Sequence, residues 1–210
     1  SVHTSIRPAT PARCGARSSM TDASAWPEPP STYAPRAKPN APVREELRAR
    51  AHVDLAAVTK NNIGQVRKLN QVLFPVSYSG KVYEEVLSDD VRPLCKLALF
   101  NDLAVGNVCC RLEPEADSGA TRVYIATLGV LNAYRHLGIG TLLLKHVLAT
   151  AAPGSTYAGR PVSAVYLHVQ TSNADARQFY EHFGFRVVGE IPQYYTQIEP
   201  TSAWVLELKA

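Results

Sequence analysis

The chain has 210 residues, enough for one domain with a sizeable core plus a tail, and its 22 Lys+Arg against 18 Asp+Glu leave a net charge of +4. Residues 1–42 hold five basic side chains (Arg7, Arg13, Arg17, Arg36, Lys38) and two acidic ones (Asp22, Glu28), so the tail carries +3 and the rest only +1. The basic balance is a property of the tail and argues against nucleic-acid binding by the folded part. No apolar run approaches membrane-spanning length, so no membrane association is expected.

Eight of the fifteen prolines lie in residues 1–42, among many Ala, Ser and Arg and without apolar periodicity. That composition predicts a disordered extension over 1–42 and a single folded domain over 43–210. The first nineteen residues carry Arg and Ser but no acid, faintly like an organelle transit peptide. Pro8, Pro11 and the lack of an amphipathic helix argue against that reading. Met20 is the one methionine and a candidate initiator, with residues 1–19 then an upstream extension.

Arg50–Leu55 predicts a first strand. Thr59 or Asn61 then caps a helix with Ile63, Val66, Leu69, Val72 and Leu73 on its apolar face, and Pro75 ends it. A short helix is expected near Lys81–Leu87. Leu94–Phe100 and Leu103–Glu113 read as strands around Asn101-Asp102, a hairpin signal. Cys14, Cys95, Cys109 and Cys110 lack metal-ligand spacing, and no metal is expected. Three of the four sit in apolar, strand-like contexts as buried reduced thiols, which suits a cytoplasmic or nuclear compartment.

Arg122–Val130 reads as a strand, followed by Arg135-His136-Leu137-Gly138-Ile139-Gly140 and a helix with Ile139, Leu142, Leu143, Val147 and Leu148 at helical spacing. First-turn amides of a helix have no internal partners and carry the positive end of its dipole, so this layout suits a phosphate. It is not a P-loop, because no lysine follows Gly140. Nor is it a dinucleotide fingerprint, because Leu143 stands where the third glycine belongs. Residues 153–162 are expected to form a loop.

Ala164–Val169 predicts the next strand. Ser172 or Asn173 caps a helix whose apolar face is Ala176, Phe179, Tyr180 and Phe183, and Gly184 suits its left-handed terminator. Two strands follow near Arg186–Gly189 and Ala203–Leu208. The order predicts a mixed α/β domain with a central, partly antiparallel sheet. The strands of Tyr124 and His168, joined through a helix, should be parallel neighbours or near neighbours, with a ligand at their carboxyl ends. Strand alternation lets Tyr124 and His168 converge.

Arg135-x-x-Gly138-x-Gly140 after a strand resembles the acetyl-CoA signature of the GNAT acetyltransferases. The segment Gln170-Thr171-Ser172-Asn173 running to Phe179-Tyr180-x-x-x-Gly184-Phe185 resembles the other half of that cofactor site. A narrower resemblance rests on Asn70-Gln71-Val72-Leu73-Phe74-Pro75-Val76-Ser77-Tyr78, Arg122–Gly129, Tyr166–Gln170 and Tyr194-Tyr195-x-x-Ile198-Glu199-Pro200. Together these are similar to the NatE-type catalytic subunits, which are N-terminal protein acetyltransferases, over about Val53 to the C-terminus.

The resemblance implies a GNAT fold, a central mixed β-sheet flanked by helices with acetyl-CoA in the crevice between two parallel strands. It implies Nα-acetylation of nascent or free polypeptides that start with methionine and a hydrophobic residue. It also implies association with NatA-type auxiliary and catalytic subunits at the ribosome. Leu128, through its amide, Gly129 and Val130 are expected along the cofactor. Arg135, His136, Leu137, Gly138, Ile139, Gly140 and Thr141 form its phosphate loop. Asn173 contacts pantetheine or peptide, and Tyr180 faces the leaving sulfur. Phe74, Pro75, Val76, Tyr78, Tyr194, Tyr195 and Ile198 are expected to hold the peptide, and their apolar members suit a methionine side chain. Ala126 and Val82 depart from the family pattern, each reducing bulk near the expected peptide site.

The attacking amine must be uncharged. An α-amine ionises about 2.5 units below a lysine, a difference worth about 3.4 kcal/mol, so a modest base suffices. His168 fits a base near neutrality and Tyr124 fits a hydroxyl that holds a water. With the resemblance, the two act together through ordered water. A broader lysine or amine acetyltransferase and a non-catalytic subunit of a larger complex are the other readings. The intact Tyr124, Arg135, Gly138, Gly140 and His168 count against the last.

Overall fold

Asn101 and Asp102 both take positive φ, 46° and 66°, as the two central residues of a tight hairpin turn must when its twist matches the flanking strands. This turn joins β2 (Lys96–Phe100) to β3 (Leu103–Pro114). The computed structural model describes residues 52–74, 78–115, 118–196 and 198–209. The predicted extension over 1–42, with Cys14 and Met20, lies outside the described residues, as do Pro75 and Val76.

β1 spans Val53–Ala57, later than the expected Arg50–Leu55. Its position is set by pairing with β2, from Val53 opposite Phe100 to Ala57 opposite Lys96. The His52 N–H donates to Asn101 Oδ1 at 2.9 Å and ties β1 to the hairpin turn. The first helix, α1, runs Ile63–Leu73 and is entered at Asn62, not at Thr59 or Asn61. The Asn62 side chain accepts the Thr59 N–H at 2.7 Å and donates to the Ala57 carbonyl at 2.9 Å, so it braces the turn before the helix. Val66 and Leu69 face the core as expected, but Val72 is 64 % exposed. The buried polar Asn70 takes a place on that inner face.

Helix α2 (Gly80–Val86) and a 3-10 turn (Arg92–Leu94) lead into β2. After β3 come β4 (Thr121–Val130), a 3-10 turn (Asn132–Tyr134), α3 (Ile139–Thr150), β5 (Thr156–Tyr157) and β6 (Arg160–Gln170). Helix α4 (Ala174–His182), β7 (Arg186–Ile191) and β8 (Ala203–Lys209) complete the fold. The segment expected as a plain loop over 153–162 contains β5, which pairs with Arg160 and Pro161 of β6. The chain reverses there through Ala158 and Gly159, both at positive φ. Asn173 is the cap of α4, its Oδ1 accepting the Ala176 N–H at 3.1 Å, and Gly184 ends that helix at φ 88°.

The strands form one sheet in the order β1-β2-β3-β4-β6-β8-β7, with β5 attached to β6. β4 and β6 are parallel neighbours, as the helical crossover requires. The other pairings are antiparallel. Leu143, Leu144 and Val147 of α3 join Val108, Val123, Val165 and Leu206 of the sheet in one buried cluster. Cys95, Cys109 and Cys110 are buried free thiols within it. Among the described residues no helix is long and apolar enough to cross a membrane.

Candidate active site

β4 and β6 part company halfway along. Their register begins at Thr121 opposite Val162 and ends at Tyr124 opposite Tyr166, yet β4 continues to Val130 and β6 to Gln170. A bulge at Ala126 contributes to the divergence, since Cys109 and Cys110 of β3 face Thr127 and Ile125. The parting opens a cavity of about 730 Å³, walled by Ile125–Val130 on one side and Leu167–Gln170 on the other. Past Tyr124, the β4 backbone therefore presents an edge that β6 does not pair. Such an edge is a template for an extended amide-bearing ligand.

The loop before α3 lies at the wide end of this cavity. His136 and Gly138 take positive φ, 63° and 83°. At Gly138 a Cβ would meet nothing within 4 Å, so glycine is needed there for the left-handed backbone and not for space. Ile139, Gly140 and Thr141, the first residues of α3, line the cavity with Arg135, His136 and Gly138. Arg135 Nε donates to the Val130 carbonyl at 3.1 Å and pins the loop to the end of β4. Leu137 does not line the cavity; it packs against the core beneath the loop. Unbonded first-turn amides, a helix dipole and one arginine make an anion seat.

At the narrow end, His168 Nδ1 is 3.1 Å from the Tyr124 hydroxyl, which is 3.2 Å from the Tyr194 hydroxyl. The His168 ring lies 4.6 Å from that of Tyr194 and edge-on to Tyr166 at 5.8 Å. His168 lines the cavity, whereas Tyr124 and Tyr194 stand behind it. Burial pulls the His168 pKa down from 6.5 to about 4, with Glu113 opposing the shift and Arg122 adding to it. Burial, with Tyr194 beside it, pushes Tyr124 well above its ordinary value. Both groups are thus neutral near pH 7. The sequence-based expectation of a histidine titrating near neutrality is not met, because burial raises the cost of the imidazolium.

Around this cluster, Tyr166 donates to Glu113, Arg122 lies over the Tyr166 ring at 4.0 Å, and Arg122 pairs with Glu207 at 2.8 Å. No sequence motif pointed to Glu113 or Glu207. The register shows why they meet: Glu113 faces Arg122 across β3 and β4, and Tyr166 faces Glu207 across β6 and β8.

Phe74, Tyr78, Tyr195 and Ile198 line the cavity on the side of α1 and the β7–β8 connection. Phe74 and Tyr78 meet edge to face at 6.2 Å, and Tyr194 and Tyr195 at 4.9 Å. Burial raises Tyr78, and it raises Tyr195 to about 12 with help from Tyr194, so both hydroxyls stay protonated. Ala126 lines the cavity and Val82 does not. Leu128, Gly129, Val130, Asn173 and the buried Tyr180 complete the expected set along the wall. Gln170, Phe179 and Tyr134 also line it. Phe179 was legible as part of the apolar face of α4 and Gln170 as the end of the Tyr166–Gln170 motif, but Tyr134 carries no sequence signal of its own.

One end of this crevice suits a pyrophosphate and the other suits a neutral nucleophile, the two demands made on an acetyltransferase that takes its acyl group from coenzyme A. Residues 63–185 match the model of the acetyltransferase (GNAT) family. N-alpha-acetyltransferase 50 of Danio rerio is 47 % identical over 158 residues, 75 % of this chain and 89 % of that protein. The probable N-acetyltransferase san of Drosophila melanogaster is 44 % identical over 75 % of this chain and 81 % of its own. The solved structure of Arabidopsis thaliana Naa50 in complex with the bisubstrate analogue CoA-Ac-MVNAL is 44 % identical. It superposes with a TM-score of 0.67 over 75 % of this chain and 99 % of that one. The chain belongs to the GNAT acetyltransferase family, on the branch of N-alpha-acetyltransferase 50.

The acetyl-CoA that this family implies fits the residues present. The open β4 edge matches the amides of a pantetheine arm, and the Cβ-free Gly138 and Gly140 bare the first-turn amides of α3 to a pyrophosphate.

Proposed function

We propose that this enzyme acetylates the α-amine of polypeptides that begin with methionine followed by a hydrophobic residue. The observation that carries the reading is the cavity's narrow end, where the neutral His168–Tyr124–Tyr194 cluster adjoins an aromatic and aliphatic wall of Phe74, Tyr78, Tyr195 and Ile198. A methionine side chain suits that wall, and the tyrosine hydroxyls can hold the peptide backbone. The Met-Val start of the analogue bound to the Arabidopsis relative supports the same choice.

Acetyl-CoA, when bound, supplies an acetyl group activated as a thioester. Arg135 and the amides of Ile139, Gly140 and Thr141 hold its phosphates, and the wall from Leu128 to Val130 lies along its arm, with the Leu128 amide as donor to the carbonyl oxygen. Tyr180 flanks the sulfur and Asn173 stands at the mouth.

Near pH 7 roughly one α-amine in ten is already uncharged, whereas a lysine amine is almost wholly protonated. The enzyme therefore needs a place for one proton more than it needs a strong base. His168 provides it when its Nδ1–H donates to Tyr124 and the Tyr124 hydroxyl donates to Tyr194. Nε2 is then the accepting nitrogen, reached from the amine through a water. Tyr124 acts from behind the cavity wall by fixing this tautomer.

The action is placed in the cytoplasm or nucleus, co-translationally on nascent chains as well as on free ones, with NatA-type subunits as partners. The three buried free thiols support the reducing compartment. Residues 43–210 form the catalytic domain and residues 1–42 an extension to it.

The test is acetyl-CoA turnover with a Met-Leu-starting peptide, set against the same peptide with a blocked N-terminus and an added internal lysine. Wild type and His168→Ala are compared on both. Turnover on the free methionine terminus alone, reduced strongly by the substitution, is expected. Equal turnover on the blocked peptide would replace this reading with a general amine acetyltransferase.

A further inference from the structure

A chain of polar side chains runs from the cavity wall at Thr127 into the core. The Thr127 hydroxyl on β4 donates to Asn107 Oδ1 at 3.2 Å. Asn107 Nδ2, on β3, donates to Asn70 Oδ1 on α1 at 3.0 Å. The Cys109 thiol donates to Asn107 Oδ1 at 3.8 Å. Asn70, Asn107 and Thr127 are 2 %, 0 % and 3 % exposed. Among the described residues no buried side-chain nitrogen or oxygen lacks a partner. The donors all point one way, from Thr127 through Asn107 to Asn70, so the chain holds in a single arrangement.

Its two ends are the two halves of the site. Thr127 belongs to the stretch of β4 that walls the cofactor side of the cavity. Asn70 begins the last turn of α1, and its backbone carbonyl accepts the Phe74 N–H at 3.0 Å. Phe74 also lies against Gly129, where an added Cβ would come within 2.9 Å of its Cζ. A buried amide pair adds a directional constraint to the packing of α1 on the sheet, since any other register leaves a donor or acceptor bare.

We propose that Asn107 is a positioning residue, whose hydrogen bonds to Asn70 and Thr127 fix the peptide-holding end of α1 at a set distance from the cofactor strand β4. The effect on substrate rests on the peptide site assigned above; the effect on α1 does not. Removing the amide frees the end of α1 while leaving the anion seat before α3 in place.

The test is amide hydrogen exchange on the full chain for wild type, Asn107→Ala and Thr127→Val, the last being nearly isosteric and guarding against a failure of the first to fold. The amides of Leu69–Phe74 should exchange at least tenfold faster in Asn107→Ala and about threefold faster in Thr127→Val. Those of α3 and β6 should be unchanged. The Asn70→Ala and Asn107→Ala substitutions combined should loosen α1 no more than the worse single one, because they cut the same chain. In turnover, the peptide KM of Asn107→Ala should rise about fivefold, with kcat and the acetyl-CoA KM within twofold of wild type. Equal acceleration across α1, α3 and β6, or none, overturns the proposal. A wild type inactive on methionine-starting peptides would refute the substrate reading alone, and the exchange pattern would still decide the role of Asn107.

Discussion

His168 Nδ1 and the Tyr124 hydroxyl are 3.1 Å apart, although they belong to strands whose pairing has just ended. The contact spans the first step of the splay, so the two side chains hold together what the backbones have released. If Tyr124 acts by fixing the His168 tautomer, removing either side of the contact removes the same function. Tyr124→Phe and His168→Gln should each lower kcat by about 10²-fold, in the usual range for a positioned base. The double variant should be little worse than either alone. Single-turnover rates of the three variants check this, and strictly multiplicative losses would separate the two residues.

The pH dependence follows from the neutral state of the cluster. His168 is pulled down to about 4 by burial and Tyr124 is pushed up, so neither changes charge between pH 5 and 9. The ascending limb of kcat/KM then belongs to the substrate's own α-amine, near 8. The rate should rise tenfold per pH unit below that value and level above it. A peptide with a less basic N-terminus should move the limb down by the difference in its amine pKa. An inflection between 6 and 7 that vanishes in His168→Gln would show the histidine titrating in the free enzyme.

The same shift bears on stability, with a definite sign. The folded pKa of His168 is depressed below its unfolded value of about 6.5, so the unfolded chain binds the extra proton between about 6.5 and 4. The stability is fully present above pH 6.5 and is lost as pH falls toward 4. The full shift corresponds to about 3 kcal/mol, and partial solvent access to the ring reduces this to about 2 kcal/mol. His168→Gln should lack this part of the acid destabilisation. Urea unfolding of both proteins at pH 7 and pH 4.5 measures it as a smaller drop in ΔG for the variant.

Local pattern made most of the fold legible. The Asn101-Asp102 turn, the glycine loop before α3 and the Asn173 cap are each written in adjacent residues, and the structure shows all three. Legibility failed where a partner far along the chain decides the outcome. β1 starts where β2 lets it, Val72 yields the inner face of α1 to Asn70, and β5 pairs only because Ala158 and Gly159 both turn left-handed. The site divides the same way. Alternation predicts that Tyr124 and His168 converge, but not that Tyr194, seventy residues beyond Tyr124, completes the cluster. Nor does it predict the Asn107–Asn70 bond, whose members look like ordinary surface asparagines until the register buries them.

Gly138 and Gly140 should respond differently to alanine. At Gly138 the backbone sits at φ 83°, where a Cβ costs about 1 kcal/mol even though nothing lies within 4 Å of it. Gly138→Ala should lower Tm by a few degrees. At Gly140 a Cβ would make ordinary contact with Phe179 at 3.7 Å, so Gly140→Ala should fold as well as wild type. Its loss should appear at the anion seat, as acetyl-CoA affinity weakened about tenfold. Thermal unfolding without ligand, beside calorimetric titration with acetyl-CoA, separates strain from lost binding.

Gly129 offers the sharpest division between the two substrates. Its position on the wall suggests a cofactor contact, yet an added Cβ would come within 2.9 Å of both Leu73 Cδ1 and Phe74 Cζ, which belong to the peptide side. Neither atom is backbone, so the clash is relieved by moving the tip of a side chain and not by unfolding. Phe74 would swing toward the space meant for methionine, while the β4 edge offered to the cofactor keeps its course. Gly129→Ala should therefore raise the KM of a Met-Leu-starting peptide about five- to tenfold, with the acetyl-CoA KM within twofold. A peptide starting with a smaller residue should lose less. If the acetyl-CoA KM rises instead, the side of Gly129 that a Cβ would occupy serves the cofactor as its backbone edge does, and the close approach of Phe74 is incidental.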